Sequence, residues 1–170
     1  MSTDFIALLD ITVEGVTPQW ILPRVAAMPD VFAPFVERYA SAFRTKTWMV
    51  ESSPVGGPEL LGPGGFAMRP ETDTLELWHG IRFSTFTGDA THRNALRRVC
   101  LAVADLVGSE RAIYTHELMP YAGGGGLKVI EAGLRARIGP PADTFEELHA
   151  AEYFEPRAWY VETFADLRRS

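Results

Sequence analysis

The chain has 170 residues, 46% hydrophobic and 22% charged, and its 16 basic residues against 22 acidic ones leave a formal net charge of -6. That balance disfavours a nucleic-acid binder, because neutralising phosphates requires a basic surface. A single cysteine, Cys100, excludes an intramolecular disulfide and a zinc site of the Cys-pair type. The apolar stretch 5–9 is too short for a membrane span and follows no basic leader. The expectation is one globular domain over 1–170, cytoplasmic, without membrane, cofactor or metal.

Taken in chain order, residues 5–13 alternate at their C-terminal half and read as a strand, with Phe5, Ala7, Leu9, Ile11 and Val13 on one face. Thr17-Pro18 is an N-cap followed by proline in the first turn, opening a short helix through Trp20, Ile21 and Val25. A second helix starts at Asp30, where Val31, Phe35, Tyr39 and Phe43 recur every four residues. Residues 45–51 read as a strand, and the Gly/Pro-rich residues 52–70 as a flexible loop or hairpin.

The clearest strand is 75–86, with Leu75, Leu77, His79, Ile81 and Phe83 on one face and Glu76, Trp78, Arg82 and Phe86 on the other. Asp89 or Thr91 caps the best helix, whose apolar positions from Ala95 to Val107 keep the helical period up to Gly108. Residues 111–119 form another strand, and 120–126 a glycine-rich turn before a helix through Leu127, Ile130, Leu134 and Ile138. Asp143 with Glu146 predicts a capping box for a last helix, and 159–164 a strand or extended tail. The fold expected is α+β: an antiparallel sheet of about four to five strands with helices on one face. The order permits a ferredoxin-like arrangement with appended C-terminal helices.

Candidate chemistry centres on the four histidines. Tyr114 and His116 share a strand face close to the glycine run, and His79 joins them if the two strands are neighbours; Glu117 is adjacent but points the other way. These are the candidate catalytic residues. His79, between Leu77 and Ile81, also suits a buried structural role, and His92 in the first turn of its helix reads as exposed. His149, flanked by Glu146 and Glu152 three residues away on each side, suits a helix-surface charge cluster better than a metal site.

The run Gly123-Gly124-Gly125-Gly126 resembles a phosphate cradle only superficially, since neither GxxxxGK[ST] nor GxGxxG is present. Cys100 falls on the apolar side of its helix as a small buried hydrophobe, and Arg93, Arg97, Arg98, Arg168 and Arg169 read as solvated faces and tail. Aromatic residues beside charges mark two candidate partner-binding patches: Trp78, Glu76, Arg82 and Phe86 on the long strand, and Glu152, Tyr153, Glu155 and Trp159 near the C-terminus.

No catalytic motif passes its test, while charge and aromatic usage suit a protein interface. The function expected is therefore a non-catalytic intracellular binding protein, of the inhibitor or immunity type, that masks a protein partner. The alternative is a small enzyme or ligand-binding domain with a pocket around His116. An exposed strand edge leaves homo-oligomerisation open.

Overall fold

The computed structural model describes residues 3–52, 56–121 and 125–169. In chain order the elements are β1 (Asp4–Asp10), α1 (Pro18–Ala26), α2 (Pro29–Arg38), β2 (Met49–Ser52), β3 (Pro58–Gly62), β4 (Phe66–Pro70) and β5 (Thr74–Arg82). They continue with α3 (Phe83–Gly88), α4 (Ala90–Val107), β6 (Arg111–His116), α5 (Gly126–Arg137), α6 (Phe145–Ala150), β7 (Tyr160–Thr163) and α7 (Phe164–Arg169). The strands form one antiparallel sheet in the order β2-β3-β4-β5-β1-β6-β7. The class is α+β, and seven strands replace the four or five expected.

The extra strands come from residues 52–70, where β3 and β4 pair through Leu60↔Met68 and Gly62↔Phe66. In β3 and β4 themselves, Leu60, Phe66 and Met68 are buried at alternate positions, the spacing of a half-buried strand. The strand expected at 45–51 begins only at Met49, because Trp48 instead turns its ring onto Phe32, 4.9 Å away and edge-on. The helix begun at Pro29 ends at Arg38, and Phe43 keeps its place on Tyr39 from beyond the helix, 5.6 Å between ring centres.

Expectation and structure also part at 83–86. The long strand stops at Arg82, and Phe83 opens the short helix α3. Phe83 and Phe86, three apart, stack along one side of that helix with ring centres 6.2 Å apart, so Phe86 enters the core instead of lying beside Trp78. The helix expected from the Asp143 capping box, α6, is capped one residue later: Thr144 accepts from the Glu147 N–H at 3.1 Å, and the Glu147 carboxylate accepts from Asp143 N at 2.8 Å. It is not the last, since a further helix, α7, follows β7.

Helices lie on both faces of the sheet, not one. The faces separate along β1: Phe5, Ala7 and Leu9 enter a large core with α1, α2, α3 and α4, whereas Ile6 and Leu8 enter a second core with Leu127, Ile130 and Leu134 of α5. The run Phe5-Ile6-Ala7-Leu8-Leu9 is apolar without a break, which is what a strand covered on both sides requires. Asp10 at its end accepts from the Leu127 N–H at 2.8 Å, tying β1 to the first turn of α5.

Candidate functional site

His79 and His116 stand on β5 and β6, the two neighbours of β1, and both are in register with Phe5. Their hydrogen bonds repeat the same pattern. Each Nδ1 accepts from the backbone N–H two residues on, Ile81 at 3.3 Å and Leu118 at 3.2 Å, and each Nε2 meets a carbonyl at 2.8 Å, that of Gly64 for His79 and of Tyr153 for His116. A carbonyl only accepts and an N–H only donates, so both rings are neutral with the proton on Nε2. Burial pushes His79 down to about 3 and lowers His116 as well, against a smaller opposing effect of the carbonyl each ring bonds. With both nitrogens engaged, the two rings work as latches. His79 fastens the β3–β4 turn, and His116 fastens the 151–155 segment.

The expected trio does not assemble. The Phe5 ring lies 5.7 Å from Tyr114 and 4.5 Å from Phe86, filling the ground between the two histidines. His79 instead sits among Phe66, Phe35 and Tyr39, with ring centres 4.4, 4.9 and 5.7 Å away. Tyr114 is fully buried, and its hydroxyl donates to Glu162 at 3.2 Å. The same carboxylate is held by Arg97 at 2.6 and 3.0 Å, so Tyr114 belongs to a structural network. Burial, with the neighbouring Cys100 and Glu162, holds its phenol well above the usual range. Glu117 turns back to accept from the Asp4 N–H at 3.0 Å; burial, then the Glu117 charge, raises the Asp4 carboxyl.

The other histidines also find partners. His92, expected on the surface, is buried, and its Nε2 lies 3.2 Å from the Tyr39 hydroxyl because α2 packs over the first turn of α4. His149 reaches across to α3, with Nδ1 2.8 Å from Thr87 Oγ1. Cys100 is buried, and burial raises its thiol far above the usual range. Among the described residues no three His, Cys, Asp or Glu side chains gather to hold a metal ion, and no helix is long and apolar enough to cross a membrane. Gly123 and Gly124 lie outside the described residues; Gly125 precedes α5, where the Asp10 carboxylate already occupies the position an anion would take.

The first partner patch is divided by the structure. Trp78 is half-buried against the second core and donates through Nε1 to Glu76 at 3.2 Å. Glu76 also accepts from the Tyr121 hydroxyl at 2.5 Å and lies 3.6 Å from Arg69. Arg82 is exposed, but Phe86 has no accessible surface and cannot meet a partner. In the second patch Trp159 is likewise fully buried, its indole donating to the Gly139 carbonyl at 3.1 Å.

What remains exposed in the second patch borders a cleft of about 610 Å³ between α3 and the 151–155 segment, lined by Ser84, Glu152, Tyr153, Phe154 and Glu155. Beneath it lies a smaller cavity of about 80 Å³, bounded by His116, Thr87 and His149. Phe154 is 54% exposed at the mouth, and its ring centre is 5.9 Å from His116. The latch from His116 to the Tyr153 carbonyl holds this segment from below, and buried Ala158 and Trp159 anchor it downstream. Arg157 adopts a left-handed conformation at φ 73°, and its N–H donates to Pro140 at 2.9 Å. Ser84 escaped the sequence reading because a strand was expected over 75–86, and Thr87 because it lies just past that strand. The aromatic pair three residues apart at 83 and 86 was the signal for a helix.

Compared with known proteins, this chain matches no family model, no curated protein and no solved structure at a significant level.

Proposed function

We propose that the protein is a non-catalytic binding protein of the inhibitor or immunity type, and that it masks its protein partner with the 151–155 segment and the cleft beside α3. Phe154 carries this reading. A large ring left 54% exposed on a segment latched from beneath offers apolar area without a large ordering cost on binding. Glu152 and Glu155 flank it, and the net charge of -6 favours approach of a basic surface. The bonding of both nitrogens of His79 and of His116 supports a structural role for these rings.

The cavity of about 80 Å³ next to His116 favours a second reading, a ligand pocket, but it has room only for waters or a very small group. The arrangement β4-β5-β1-β6, with helices between β1 and β4 and between β5 and β6, supports a ferredoxin-like centre widened by β2, β3 and β7. Continuity of the sheet supports one domain over 1–170.

The test compares tagged wild type with Phe154→Ser and Glu155→Lys in capture from lysate of the source organism, quantified by mass spectrometry. One protein retained stoichiometrically by wild type and at least about tenfold less by either variant, with unchanged melting temperatures, is the expected result. Equal retention by all three, or no retained protein, overturns the reading. His116→Ala is the control for the pocket reading, which requires loss of a measurable activity or ligand in a folded variant.

A further inference from the structure

Resting on the reading of the cleft as a docking site, we propose that its occupant is an arginine side chain of the protein partner. The cleft, about 610 Å³, has the size of sites that engulf a side chain or small ligand. Its walls combine the rings of Tyr153 and Phe154 with the carboxylate-bearing residues Glu152 and Glu155, and among the described residues no basic one lines it. The two glutamates belong to one turn, in which the Glu155 N–H donates to the Glu152 carbonyl at 3.1 Å. Among the described residues neither forms an ion pair, although the sequence places Arg157 only two positions beyond Glu155.

This combination discriminates among occupants. An acidic side chain is repelled, and a purely apolar one leaves the carboxylates unused. A guanidinium is planar and weakly hydrated, so it can lie against an aromatic face while its edge donates to a carboxylate. A lysine ammonium is compact and more strongly hydrated, and keeps less of both contacts. The nearest histidine outside the cleft does not oppose a cation, since His116, 4.8 Å from the Tyr153 ring and bounding the smaller cavity, is held neutral by its two hydrogen bonds. Because that latch and the Arg157–Pro140 bond fix the segment in place, the cleft needs little ordering to receive the side chain.

The experiment uses the full, isotope-labelled protein and three capped tripeptides, Gly-Arg-Gly, Gly-Lys-Gly and Gly-citrulline-Gly, titrated while backbone resonances are followed. Citrulline keeps the size and planarity of arginine without its charge. The expected result is saturable shifts confined to Ser84 and 151–155, about tenfold tighter for the arginine peptide than for the citrulline peptide and with lysine between them. E152Q/E155Q should remove most of this difference and its dependence on salt, and F154S should weaken all three peptides. Citrulline binding as tightly as arginine, with loss in F154S, overturns the arginine assignment and leaves the docking reading standing. Tighter lysine binding overturns it in favour of an ammonium. Shifts absent from the cleft, or spread over the surface, overturn the assignment and count against the docking site itself. Unchanged melting temperatures of both variants establish that lost binding is not lost folding.

Discussion

At the scale of single residues, the most demanding groups in the core are polar ones that the fold keeps in one protonation state. His79 is held neutral, its folded value pushed down to about 3 from 6.5. The unfolded chain therefore takes up this proton first as the pH falls. The contribution of His79 is fully present above about 6.5 and declines down to about 3, by as much as ~1.4 kcal/mol per pH unit. Urea melts of wild type and His79→Phe at several pH values measure it. The variant should be about 2 kcal/mol less stable near pH 8, since Gly64 O and Ile81 N lose their partner, and its stability should fall less steeply toward acid. Equal slopes would sink this account.

The buried Glu162 is the centre of an ion-pair network. It receives Arg97 through two hydrogen bonds and Tyr114 through a third, and the Arg97 guanidinium also lies 4.9 Å over the Phe145 ring. Removing the carboxylate strands a largely desolvated cation, so Glu162→Ala should cost about 3 kcal/mol in a chemical melt. Tyr114→Phe, which leaves the ion pair intact, should cost about 1 kcal/mol. A similar loss for both variants would mean that the phenol, not the ion pair, organises the network.

At the scale of elements, local signals located most helices and some of their ends. Asp89 caps α4 through the His92 N–H at 3.1 Å, and Gly108 closes it in a left-handed conformation at φ 80°; both ends were legible from the residue types. The boundary at Arg82 was not, because 75–86 keeps strand-like alternation although its last residues turn into α3. The short α6 depends on its cap: Thr144→Ala should destabilise by about 1 kcal/mol and speed amide exchange at Glu147, detectable by hydrogen exchange. A second element-level prediction concerns Phe43, whose ring packs where a Cβ on Gly80 would come within 2.7 Å. Gly80→Ala must displace that ring and should cost about 1–3 kcal/mol, with the Phe43 resonances moving and those of β6 remaining in place.

At the scale of the whole molecule, β1, between β5 and β6 with a core on each face, should hold the most protected amides. Those of β2, at one sheet edge, should exchange soonest among the strands. Comparable protection in β2 and β1 at low concentration would mean that something covers that edge, and solution size would identify self-association.

Composition and periodicity by themselves determined the α+β class, the course of α4, the burial of Cys100 and the presence of acidic and aromatic residues near 152–159. These depend on contacts a few residues apart or on the character of individual side chains. Only the tertiary structure decided that α5 covers the second face of β1, that Phe86 and Trp159 are buried, that His79 and His116 are separated by Phe5, and that Ser84 faces Phe154 across a cleft. Each of these outcomes joins residues distant in sequence, and the register and packing that join them are set by the complete sheet rather than by any one segment of it.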